Sequence, residues 1–274
     1  MSQGIWNRLQ MIDRRIIYWV LFIILMIPFI RPLGLPVSIT DQTRDLYNGI
    51  RSVKEGEVVV INISSGVSAW AECLPSLVAS VKVLNQQKAK IIFWTSFVDG
   101  QLTYEAIVSK VPSFKERVYG TDYVYLGYYA GAETGVAQLA KDIRSVFTAD
   151  YKGTPINQLP IMQNVNKAED VKLVLSSDTG DVCDYYIRQW RVPYGVPVAE
   201  IGIAMIYSSY QPHYKAGILF GLSNGSRGGA ELEKLVGELG DATTTMDAIN
   251  SSHLLVIFCI VLANLGYLAT RGKK

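Results

Sequence analysis

Serine and acidic residues follow two apolar runs of this 274-residue chain. The candidates at these positions are Ser64, Ser65, Ser68, Glu72, Ser177 and Asp178. In open α/β sheets, ligands bind beyond the carboxyl ends of the strands, so these side chains could line a polar pocket. Serine and aspartate also cap helices in the turns that follow strands, and capping is the interpretation we favour.

A glycine-rich stretch near the end of the domain is the most suggestive anion-binding motif. SNGSRGG, residues 223–229, contributes the candidates Asn224, Ser226, Arg227 and Gly228. At a helix start, such a loop can offer backbone N–H groups and an arginine to an anion. The stretch has neither the spacing of a P-loop nor the early position of a dinucleotide fingerprint. The alternative is a tight strand-to-helix turn with a serine cap.

Signatures of catalysis and of metal binding are scarce. Asp178, Asp181 and Asp184 could be ligands of a hard cation, but capping explains them equally simply. His213 is the only histidine between the apolar ends, and no GxSxG motif precedes it. We therefore expect no catalytic residue, no metal and no cofactor. A membrane-tethered hydrolase is the least favoured alternative.

The three cysteines are too few for a zinc site of the usual type or for a disulfide framework. Cys259 lies in the second apolar segment, whereas Cys73 and Cys183 lie in the domain and could pair. Both fall on apolar helical stripes, which favours buried free thiols.

The charge and composition of the chain argue against a nucleic-acid-binding protein. The net charge is +2, and no basic run stands out. Hydrophobic residues make up 49% of the chain, but their excess lies at the two ends, so the middle has ordinary globular composition. That middle part is long enough to bury the core of a single domain.

Strand-like and helical patterns alternate through the middle of the chain. Helical stripes separate predicted strands at 57–65, 89–97, 123–129, 171–178, 196–206 and 218–222. This alternation predicts an α/β fold with a doubly wound, mostly parallel sheet, flavodoxin-like or Rossmann-like. The order of the strands cannot be deduced from the pattern.

Two apolar segments near the chain ends are predicted to cross a membrane. The first, 16–31, contains no charged residue before Arg31, and the second covers 253–270. For the first segment, a cleaved signal peptide and a buried core helix are the alternatives. It lacks a small-residue cleavage site, so we favour an uncleaved anchor.

Arginines and lysines flank the outer ends of both segments, which predicts that both termini are cytoplasmic and the domain extracytoplasmic. The predicted organisation is a cytoplasmic segment (1–15), a first transmembrane helix (16–31), a connection (32–56), the α/β domain (57–240), a second connection (241–252), a second transmembrane helix (253–270) and a cytoplasmic tail (271–274).

Asn264 is the polar residue inside the second apolar segment. An amide in lipid needs a partner, so we predict that Asn264 and Gly266 contact another helix. The alternative is that Asn264 reaches water near the headgroups.

These features favour a membrane-anchored scaffolding or structural protein that self-associates or docks partners at the membrane surface. Its expected partners are the lipid bilayer and further copies of the chain, and another membrane protein is a further candidate. Tyrosines suited to interfaces are Tyr123, Tyr125, Tyr128, Tyr129, Tyr207, Tyr210 and Tyr214. The alternative function is a small-molecule or anion-binding sensor built around SNGSRGG.

Overall fold

The computed structural model describes residues 12–271. Contacts between Cα atoms divide the chain into two compact units. One unit comprises residues 37–242, and the other comprises the described residues of 1–36 and 243–274. We refer to them as the α/β unit and the terminal unit.

The α/β unit is built on six strands that are all parallel to their neighbours. The strands are β1 Val58–Ser64, β2 Lys90–Thr95, β3 Tyr123–Tyr128, β4 Leu173–Asp178, β5 Val198–Gly202 and β6 Leu219–Asn224. Their order in the sheet is β3-β2-β1-β4-β5-β6, so the winding direction reverses between β1 and β4. The prediction of an α/β fold with a parallel sheet is confirmed.

Helices cover both faces of this sheet. The described helices are α1 Arg14–Ile30, α2 Asp41–Arg51, α3 Trp70–Gln86, α4 Gly100–Lys110, α5 Ala132–Lys141, α6 Ile143–Val146, α7 Val182–Tyr186, α8 Val192–Tyr194, α9 Tyr207–Lys215, α10 Gly225–Val236 and α11 Asp241–Arg271. A π-helical turn, Ile187–Arg191, joins α7 to α8.

Two apolar cores result, one on each face of the sheet. The first core includes side chains of α5, α7 and α9, and the second includes side chains of α2, α3, α4 and α10. Every residue of β1 is buried, because alternate side chains enter the two cores. This two-sided burial explains why the run VVVINI is apolar without alternation.

Two elements depart from the sequence pattern. The strand predicted over 196–206 ends at Gly202, and the apolar residues after it form a turn and then α9. The α/β unit also begins before the predicted boundary at 57. Leu46 and Ile50 of α2 are fully buried in the second core, which makes this helix part of the unit.

The terminal unit contains α1 and most of α11. Asp247 of α11 is buried, and its carboxylate accepts hydrogen bonds from the backbone N–H groups of Leu33, Gly34 and Leu35 at 2.7, 2.8 and 2.9 Å. These bonds fix the segment that follows α1. Residues 241–252, predicted as a connection, are helical and belong to α11.

Among the described residues, two helical stretches are long and apolar enough to cross a membrane, Val67–Gln86 and Asp241–Arg271. The first is mostly buried and contains α3, a core helix of the α/β unit. The second is almost entirely exposed. The 17-residue α1 is shorter than either of them.

Candidate functional site

The candidate site is the carboxyl edge of the sheet, next to the point where its winding reverses. Ser64 ends β1, Ser65 follows it, and Ser177 lies near the end of β4. Ser177 Oγ donates to Ser65 Oγ at 3.0 Å, and the hydroxyls of Ser64 and Ser96 are 2.8 Å apart. The fold therefore brings the predicted serines together, but their hydroxyl groups bond to one another. Ser68 is exposed in the turn beyond them.

Asp178 is the last residue of β4, and both of its carboxylate oxygens accept hydrogen bonds. Its Oδ1 accepts from Gly180 N at 2.7 Å, and its Oδ2 accepts from Cys183 N at 2.9 Å and from Ser176 Oγ at 3.1 Å. Burial raises the pKa of Asp178, and these three donors act in the opposite direction. The bonds to Gly180 and Cys183 stabilise the turn into α7, as the capping interpretation expects.

The other two aspartates of this region have separate partners. Asp181 accepts from Tyr185 Oη at 2.7 Å, and Asp184 Oδ1 lies 3.7 Å from His213 Nε2. Within residues 12–271, no group of three or more His, Cys, Asp or Glu residues could hold a metal ion. The three aspartates therefore point to separate partners and are not grouped around one position.

Glu200 is the most unusual ionisable residue of this edge, and the sequence analysis did not select it. It lies on β5, is 2% exposed, and neither carboxylate oxygen has a hydrogen-bond partner in the described structure. Burial raises the pKa of Glu200 well above its ordinary value, and the nearby Asp178 carboxylate adds to this shift. The Cys183 thiol lies close enough to affect this pKa but forms no hydrogen bond of normal geometry.

Two asparagines share this lack of partners. Both amide atoms of Asn62 are buried without a hydrogen bond, and so is Oδ1 of Asn224. Asn62 lies opposite Ser176, which lies opposite Glu200, so the three form one row across β1, β4 and β5. Buried polar groups usually find partners, which makes this row a candidate for function.

Cys73 and Cys183 are fully buried and do not form a disulfide. Burial raises the pKa of both thiols, and the carboxylate of Glu200 adds to the shift. Both are therefore protonated, unreactive thiols in the folded chain.

The glycines of SNGSRGG are explained by close packing of α10. A Cβ atom added to Gly228 would overlap Ser223 Oγ and its backbone, and one added to Gly229 would lie 2.8 Å from Ala242 Cβ. Ser226 Oγ donates to Ala71 O at 3.0 Å, which ties the loop to α3. The small residues thus let α10 approach β6 and α3.

A carboxylate of the chain itself lies against this loop. Glu72 Oε2 accepts from Ala204 N at 2.7 Å, and it would lie 2.5 Å from a Cβ atom added to Gly225. Arg227 donates to Glu231 Oε1 at 3.0 Å, and Glu231 also accepts from Thr40. These contacts give Glu72 and Arg227 structural partners and oppose binding of a second anion there.

Only part of the predicted tyrosine set is available for an interface. Tyr123, Tyr125 and Tyr210 are core residues, whereas Tyr128 is 47% exposed. Tyr125 stacks on Tyr104 with ring centroids 4.6 Å apart. Tyr129, Tyr207 and Tyr214 are partly buried against the first core.

In the terminal unit, the two predicted contact residues differ. Gly266 is buried, whereas Asn264 is exposed and donates from Nδ2 to Ile260 O of its own helix at 2.8 Å. The contact of these residues with another helix stays a prediction.

Comparison of the chain with family models, with curated proteins and with solved structures finds no match in any of the three.

Proposed function

We propose that this chain is a membrane-anchored structural protein that self-associates, with α1 and α11 as its two bilayer spans. The observation that carries the proposal is the exposure of large apolar side chains along both helices. Trp19 is 67% exposed, and Leu254 and Leu268 are each 63% exposed. Exposed apolar surface of this extent is unfavourable in water and favourable in lipid.

The lengths of these helices suit a bilayer. At about 1.5 Å per residue, α1 spans roughly 26 Å and the apolar segment 253–270 roughly 27 Å, against a hydrocarbon core of about 30 Å. Arg14 and Arg15 open α1, and Arg271 ends α11. By the positive-inside rule, both termini are then cytoplasmic and the α/β unit is extracytoplasmic.

Asn264 supports association between copies within the bilayer. Its side chain is exposed among apolar neighbours, and the one hydrogen bond from its amide nitrogen returns to its own helix. An amide in hydrocarbon gains free energy by bonding across helices, so a second copy would offer Asn264 a better environment than lipid.

The α/β unit supports docking through exposed apolar side chains at its carboxyl edge. Val98 follows β2 and is 82% exposed, and Met205 follows β5 and is 79% exposed. Phe97 and Leu102 are also exposed near Val98. Loops that follow parallel strands share one edge of the sheet, so these residues offer a partner apolar contacts at two places along that edge.

The mass of the particle extracted in mild detergent tests this proposal. We expect a discrete assembly several times the 30.4 kDa chain, and we expect Asn264→Leu to reduce its mass. Ser252→Ala is the matched control, since Ser252 Oγ also bonds within its own helix, to Ile249 O. A monomer or a single dimer for the unmodified chain would contradict the proposal.

A further inference from the structure

Glu200 lies in a row of oxygen-bearing groups at the carboxyl edge. Asp178, Gly202 and Asn224 end β4, β5 and β6, and pairing places Gly202 opposite Asn224. Adjacent strands are about 4.8 Å apart, so the three positions lie side by side on neighbouring strands. Asp178, Gly202 and Asn224 share the face of the first core, because Val174, Val198 and Leu222 belong to that core.

Gly202 makes room in this row for the carboxylate of Glu200. A Cβ atom added to Gly202 would stand only 2.7 Å from Glu200 Oε1. The carboxylate therefore extends along β5 to the level of Gly202, where the added Cβ atom would also stand 2.8 Å from Ile206 Cδ1. Both oxygens of Glu200, and Oδ1 of Asn224 on the neighbouring strand, are buried without hydrogen-bond partners.

No cationic side chain pairs with these carboxylates in the described structure. Asp178 and Glu200 are both buried, and no ion pair involves either of them. Two like charges in one buried site are costly, and a bound cation removes the cost. Oδ2 of Asp178 already accepts two hydrogen bonds, whereas Oδ1 accepts one, from Gly180 N, so Oδ1 keeps a lone pair for a metal.

We propose that Asp178, Glu200 and Asn224 bind a hard divalent cation of the Mg²⁺ class. Two carboxylates and an amide oxygen are the ligands that such cations prefer, with water completing an octahedral shell. The turn that follows β5 begins next to this row, and its residues Ala204 and Met205 are exposed to solvent. Zinc is disfavoured, because the proposed ligands are all oxygen atoms and no histidine lies in the row.

Mn²⁺ binding to the full chain in detergent, followed by electron paramagnetic resonance, tests the proposal. After treatment with EDTA, we expect a single Mn²⁺ site per chain, displaced by excess Mg²⁺, and a rise in the thermal unfolding temperature with either ion. Glu200→Gln and, independently, Asn224→Leu should each weaken Mn²⁺ binding by at least about tenfold.

Glu231→Gln is the matched control, because Glu231 is another buried glutamate with partners of its own, Thr40 and Arg227. It should bind Mn²⁺ as the unmodified chain does. The proposal is overturned if the unmodified chain binds no Mn²⁺, if Glu200→Gln and Asn224→Leu both bind it unchanged, or if only Zn²⁺ binds.

Discussion

Glu200 links the folding of the α/β unit to pH. Its carboxyl group is buried without a hydrogen-bond partner, so its pKa in the folded chain lies well above the value of about 4.3 of an unfolded glutamate. Below that unfolded value, both states hold the proton, so Glu200 adds no pH dependence to the free energy of unfolding. As the pH rises toward the folded pKa, the unfolded state releases its proton first, and folding stability falls.

We therefore predict that Glu200→Gln, which removes this proton release, becomes progressively more stable than the unmodified chain as the pH rises. The gain approaches about 1.4 kcal/mol per pH unit over the range between the two pKa values. Chemical unfolding in detergent with EDTA, at pH 5 and pH 8, measures it. Glu231→Gln is the control, and an equal pH dependence for Glu200→Gln and the unmodified chain would refute the assignment.

The polar residues at the carboxyl edge of the sheet were predictable from the sequence, but Glu200 was not. Ser64, Ser177 and Asp178 follow apolar runs, and parallel strands bring such positions to one edge. Glu200 lies inside the apolar run VPVAEIGIAMI and is the one acidic residue in it. That isolation was the feature of the sequence that could have identified it. Whether that acid faces solvent or the core depends on which helices cover this face of β5, and the pattern within the strand does not encode that.

At the scale of elements, α10 depends on the absence of a side chain at Gly228. A Cβ atom there would overlap Ser223, so we predict that Gly228→Ala displaces α10 and lowers the free energy of unfolding by about 1–3 kcal/mol. Gly180→Ala is the matched control, because nothing lies within 4 Å of its added Cβ atom. Thermal unfolding of both variants measures the difference, and equal stabilities would contradict the packing explanation.

Periodicity located the strands well, because each is buried on both faces and flanked by helical stripes. It failed beyond Gly202, where Ile203 and Ile206 extend an apolar run that reads as strand. The chain turns there, and Tyr210 of α9 then packs into the first core. The strand order could not be predicted either, because the local pattern of residues does not encode which strands are neighbours.

At the scale of the whole molecule, the proposed topology makes one surface accessible from outside the cell membrane. We predict that Val98→Cys reacts with a membrane-impermeant maleimide in intact cells, whereas Arg271→Cys reacts only after permeabilisation. Both variants carry Cys259→Ala, because the native Cys73 and Cys183 are buried whereas Cys259 is only partly buried. Labelling of Arg271→Cys in intact cells would contradict the proposed orientation.

Burial of the Cys73 and Cys183 thiols restricts disulfide formation between them to the stage before folding is complete. Cys183 lies in the first core, and Cys73 lies on α3, which packs into the second. A disulfide between them would have to form before the helices close over the sheet, because afterwards the sheet itself separates them. An oxidant can therefore reach these cysteines only before the chain has folded. The folded protein keeps both as thiols.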